Sequence, residues 1–118
     1  MDFKCDKNNV FTSAELRLMR DALYVLGGKW KLDVIRSIAA GNTRFTEIRK
    51  SLPKINTRML SIVLKELEAN HIIERKTFDE FPPVTIYTFT AHSKRLEPIL
   101  YSLIEWAEMH REKIFNHS

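Results

Sequence analysis

The stretch INTRMLSIVLKELEANHIIERK begins at Ile55, and five of its residues have side chains suited to reading the edges of base pairs: Asn56, Thr57, Arg58, Ser61 and Ile62. An Arg guanidinium can donate two parallel hydrogen bonds to guanine, Asn and Thr serve several base edges, and an aliphatic group can pack on a thymine methyl. Such chemistry needs the residues on one accessible face of one rigid element. An α-helix with Leu60 set at zero and about 100° per residue supplies that face. Leu60, Val63, Leu64 and Leu67 then cluster within about 60° of zero, as a core-facing stripe. Arg58, Ser61, Ile62 and Lys65 fall on the opposite side, between about 100° and 200°. Asn56 is the expected N-cap of a helix running to about Asn70, which leaves Asn56, Thr57 and Arg58 at its exposed start. Ile62 is the informative member, because a purely solvated face has no need of it, although single exposed apolar residues are common.

Cations surround this stretch. Between Lys29 and Lys76 there are eleven Lys or Arg and five Asp or Glu, a net of +6, so the rest of the chain nets −2 within a total of +4. A basic middle between neutral or acidic flanks suits contact with a polyanion. Arg44, Arg49, Lys50, Lys54, Lys65, Arg75 and Lys76 are the candidate phosphate contacts, which set register and salt dependence without selecting sequence. The alternative is a solvated basic surface, with several of these cations paired to Glu47, Glu66 or Glu74.

The elements that must position these groups are legible in outline. In TSAELRLMRDALYVLGG, Thr12 and Glu15 have capping-box spacing, so that each side chain bonds the other residue's backbone N–H. Leu16, Met19, Ala22, Leu23, Val25 and Leu26 give that helix a broad apolar face, and Gly27-Gly28 ends it, glycine tolerating the left-handed backbone of helix ends. KWKLDVIRSIAAG is a second helix stopping at Gly41, NTRF a short extended link or edge strand, and TEIRKSLP a third helix. Pro53 halts the third helix, since it lacks an N–H and biases Leu52 away from helix. After the fourth helix, IIERKTF and VTIYTF read as an antiparallel hairpin around DEFPP, with the prolines in its loop or at a strand start. A last helix is expected from about Ala91 to Ile114, with Pro98 marking either its true start or a kink. Leu96, Leu100, Leu103, Ala107, His110 and Ile114 recur along it every three or four residues, widened by Ile99, Ile104 and Trp106.

Composition removes several classes. The chain has 118 residues and a single cysteine, Cys5, so neither an intrachain disulfide nor a cysteine-based metal site within one chain can form. No apolar run approaches the roughly 18 residues that span a bilayer, the N-terminus lacks a signal-peptide profile, and a cytoplasmic location is expected. His71, His92, His110 and His117 are scattered and make no metal pattern, and there is no phosphate loop or nucleophile elbow. The expectation is therefore a non-enzyme with no cofactor and no metal. Residues 1–11 are expected to form a tail and residues 12–118 a single domain, mostly α with one small antiparallel β hairpin.

The order helix, helix, short strand, helix, helix, hairpin, helix describes a winged helix-turn-helix, whose second turn-motif helix enters the major groove. LGGKWKLDVIRSIAAGNTRFTEIRKSLPKINTRMLSIVLKELEANHIIERK, FPPVTIYTFT and LEPILYSLIEWAEMH together resemble the HxlR-type transcriptional regulators, relatives of MarR proteins, from Ala22 to about His110. The resemblance implies a homodimer on double-stranded DNA, with the fourth helix reading bases, the hairpin as the wing, and the first and last helices as the interface. Leu16, Leu23, Leu100, Leu103, Trp106 and His110 are its candidate residues, and so broad an apolar stripe is more than a domain of this size easily buries alone. Three departures accompany it. Arg17 stands where relatives often carry a cysteine, in some of them a sensing thiol, and Cys5 in the tail has no fixed basic neighbours to activate it. Ile62 and Val63 replace residues often polar or basic in relatives, which implies a different operator. Asp79 and Glu80 make the wing tip acidic, so either the tip points away from DNA or Arg75 and Lys76 make the contact. An unidentified small-molecule effector fits this class, although no residue pattern identifies one. The competing expectation is a winged-helix module that binds a protein and no DNA, because fold does not settle function.

Overall fold

The computed structural model describes residues 10–116. Cys5, most of the expected tail and His117 lie outside them. Six helices and one two-stranded antiparallel sheet follow in the order α1 (Ser13–Leu26), α2 (Lys31–Ala39), α3 (Phe45–Ser51), α4 (Thr57–Ala69), β1 (Ile73–Phe78), β2 (Val84–Phe89), α5 (Ala91–Lys94) and α6 (Glu97–Phe115).

Local chemistry explains most boundaries. At the start of α1 the Thr12 hydroxyl accepts from Glu15 N at 3.1 Å, and the Glu15 carboxylate accepts from Thr12 N at 2.8 Å. The two glycines that end α1 do different jobs. Gly27 is extended, and a Cβ there would lie 2.7 Å from the Leu23 carbonyl oxygen. Only Gly28, at φ +103°, takes the positive-φ backbone expected of the pair. Helix α2 closes as a Schellman motif on Gly41, at φ +104°, with Gly41 N donating to Ile38 O at 3.0 Å and Asn42 N to Ser37 O at 3.1 Å. Helix α4 closes the same way on His71 at φ +58°, where Ile72 N donates to Leu67 O at 2.9 Å. The side chain of Thr90 pins that unusual turn by donating to the His71 carbonyl at 2.6 Å.

Two readings that the sequence left open are decided by the structure. The NTRF link forms no strand of its own; its pairing is a single bond in which Tyr87 N donates to the Thr43 carbonyl at 2.8 Å. Phe45 then starts α3, because the Glu47 carboxylate gathers the N–H groups of Thr43 and Arg44 at 3.2 and 3.0 Å. The helix expected from Ala91 to Ile114 is two helices, α5 and α6. Pro98 has no N–H to give the Lys94 carbonyl, so the chain restarts with Pro98 in the first turn of α6.

The core lies between α2, α3, α4 and the start of the hairpin: Val34, Ile38, Ile48, Ile55, Leu60, Val63, Leu64, Leu67, Ile72 and Ile73 are all buried. The hairpin pairs Ile73 with Phe89 through Phe78 with Val84, so Ile73 roots it in the core while its far end projects. Neither α1 nor α6 buries a residue in the single chain. The radius of gyration is 18.1 Å, against about 13.5 Å for a compact chain of this length.

Candidate nucleic-acid interface

Helix α4 is amphipathic in the manner its spacing demands. Leu60, Val63, Leu64 and Leu67 are at most 5% exposed and fix the helix to the core. Thr57, Arg58, Ile62 and Lys65 are exposed on the other side, with Ser61 half-buried at the margin. Asn56 caps the helix, its side-chain oxygen accepting from Met59 N at 2.7 Å. That bond uses one of the oxygen's two lone pairs, and the amide nitrogen remains as a donor for a base. Met59, 37% exposed beside Ile62 at 40%, is the residue the sequence reading left out. Its helical angle, about 100° from Leu60, was the available signal.

Two polar clusters hold the turn motif. Lys31, almost fully buried, donates to the Tyr24 carbonyl at 3.3 Å and pairs with Glu66 at 3.5 Å, tying the end of α1 and the start of α2 to α4. Glu66 lies one helical turn beyond Ile62, so Lys31 pairs with a carboxylate close in sequence to the candidate reading face. In the second cluster Ser51 Oγ donates to Ile48 O at 2.8 Å. Its proton is thus committed, and Ser37 Oγ must donate to Ser51 Oγ at 2.5 Å while accepting from Asn42 Nδ2 at 3.3 Å. This chain of bonds links α2 to α3.

The candidate phosphate contacts divide. Arg44, Lys50, Lys54, Lys65, Arg75 and Lys76 are exposed. Arg49 is half-buried, and its Nε is buried without a hydrogen-bond partner among the described residues. Arg75 and Lys76 are neighbours on β1, so the pleat sends them to opposite faces of the hairpin. Lys76 shares its face with Glu74, 3.5 Å away; both are half-exposed, and such a pair contributes little. The wing tip carries exposed Asp79 and Glu80 and a fully exposed Phe81.

The residues expected at an interface between copies are open in the single chain. Leu23, Leu103, Trp106 and His110 are exposed, and Leu16 and Leu100 are half-buried. The Trp106 and His110 rings stack with centroids 4.8 Å apart. Among the described residues there is no group of three metal-ligating side chains and no helix long and apolar enough to cross a membrane.

A helix pair presenting its second helix outward, followed by a two-stranded wing, is a winged helix-turn-helix. The HxlR-like helix-turn-helix family model matches residues 25–115, and the chain belongs to that family. It is 36% identical over 107 residues to the HTH-type transcriptional regulator YybR of Bacillus subtilis, covering 91% of this chain and 86% of YybR. It superposes on a MarR-family transcriptional regulator from Enterococcus faecalis with a TM-score of 0.81 and 31% identity, covering 92% of this chain and 98% of the other. Against reduced YodB of B. subtilis the TM-score is 0.73 at 33% identity, over 84% and 93% of the two chains; YodB is also known in diamide-treated and quinone-bound forms. The protein is a transcriptional regulator of the HxlR type.

Proposed function

We propose that this regulator is a cytoplasmic, sequence-specific DNA-binding homodimer that acts on a roughly palindromic operator and catalyses no reaction. One observation carries this: Thr57, Arg58, Ile62 and Lys65 stand exposed on α4 while its opposite face is locked in the core. Asn56, Thr57, Arg58, Ser61 and Ile62 read base edges. Arg44, Lys50, Lys54 and Lys65 hold phosphates, joined by Arg49 through its terminal nitrogens and by Arg75 or Lys76 at the wing. Residues 12–118 act as one domain, and the partner copy packs on Leu16, Leu23, Leu100, Leu103, Trp106 and His110. Two recognition helices then enter successive major grooves about 34–36 Å apart. A quinone-type effector, by likeness to YodB, cannot use the Arg17 position as a thiol, so Cys5 is the only cysteine that could respond.

Selection of bound duplexes from a random pool tests this directly. A palindromic consensus is expected, with log–log salt dependence near the number of phosphate contacts. The acidic wing tip with its bare Phe81 favours the second reading, a protein-binding winged helix. Absence of any enriched duplex, or affinity indifferent to salt, would establish that one instead.

A further inference from the structure

We propose that Met59 and Ile62 form a methyl-reading strip, so that the operator half-site holds thymines at two neighbouring base pairs. This rests on the DNA-binding reading and specifies what the helix reads. Met59 is 37% and Ile62 40% exposed, and their three-residue spacing makes them neighbours on the helix surface. Two cations frame the strip: Arg58 precedes it and Lys65 follows, both exposed. Beyond Ile62 the Glu66 carboxylate is held by Lys31 at 3.5 Å.

An apolar pair between exposed cations, running from the flank of the packed stripe to its far side, is ill suited to burial against another protein core. It suits the major groove, where phosphates lie to either side and the thymine methyl is the apolar group on display. Side chains three apart on a helix lie about 5–6 Å from one another at Cβ, and base pairs on one strand are about 3.4 Å apart. Adjacent steps are therefore within reach of the two tips. Ile62 is stiff at χ1 and fixes one position, whereas the unbranched Met59 adapts to the next.

Deoxyuridine removes only the 5-methyl group, so the test leaves the protein and the hydrogen-bonding edges intact. In the duplex selected from the pool, each half-site thymine is replaced in turn and affinity is measured with the full chain. Two adjacent positions are expected to lose about fourfold each, the value of one buried methyl-sized group. Ile62→Ser should abolish the sensitivity at one of them and Met59→Ser at the other. Full affinity with every half-site thymine replaced would overturn the proposal while leaving DNA binding standing. Failure to bind any duplex would instead overturn the DNA-binding reading beneath it.

Discussion

The side-chain oxygen of Asn56 caps α4 by accepting from the Met59 N–H, and its amide nitrogen, outside that bond, is the proposed contact to DNA. Asn56→Ala should therefore cost about 1 kcal/mol of folding stability in addition to any affinity. Asn56→Ser keeps a capping oxygen and isolates the contribution to DNA binding. Denaturant midpoints and operator affinities for the pair separate the roles; an Ala variant as stable as the parent would remove the cap from the account. Arg58, exposed one residue inside the helix, should behave differently. Arg58→Ala is expected to lose about 1–3 kcal/mol on the operator and to relax preference at one base pair. Lys65→Ala should weaken all duplexes alike and lower the salt slope by about one. Equal losses for Arg58→Ala on operator and random DNA would make Arg58 a phosphate contact. At this scale the sequence was legible wherever a residue's role follows from its neighbours on the same helix. Met59 was missed because the wheel alone cannot say how far the core wraps around the flank.

At the scale of elements, the turn motif depends on partners far apart in sequence. Lys31 and Glu66 belong to different helices, and Lys31 also reaches back to α1 through the Tyr24 carbonyl. The Glu66 side chain is 52% exposed, so solvent limits the pair's contribution to stability to below about 1 kcal/mol. Its larger effect is expected on binding, because an unneutralised carboxylate beside the reading face repels phosphates. Lys31→Met, which keeps most of the aliphatic stem's packing, should weaken every duplex, and adding Glu66→Gln should restore most of the loss. Salt titrations of the single and double variants check this, and absence of rescue would show the pair to be structural only. The helix and strand types were readable from periodicity, and the breaks from Gly41, Pro53 and Pro98. What periodicity could not supply was the lone Tyr87-to-Thr43 bond in place of an edge strand, since that depends on where β2 comes to lie.

For the whole molecule, the decisive observation is what stays uncovered. Helix α6 is 19 residues, about 28 Å long, and neither it nor α1 has a fully buried residue. Leu103 at 52%, Trp106 at 62% and Leu23 at 68% exposure are costly to leave in water, and a stable interface of roughly 800 Å² per partner could cover them. Sedimentation at micromolar concentration should give twice the chain mass. Leu103→Glu should give the monomer and, by losing one of two linked contacts, a steep fall in operator affinity. A parent chain sedimenting as a monomer would defeat the homodimer and the palindrome together.

The sequence by itself determined the winged helix-turn-helix order, the buried stripe of α4 and the basic character of its surroundings. These are short-range matters: helical period, caps, glycine and proline, and charge counted along the chain. Only the tertiary structure decided that Lys31 pairs with Glu66, that Arg49 is half-buried while the other candidate phosphate contacts are exposed, and that Met59 is exposed next to Ile62. Each of these depends on which elements pack against which, and a pattern of residues along one helix does not contain the position of the next.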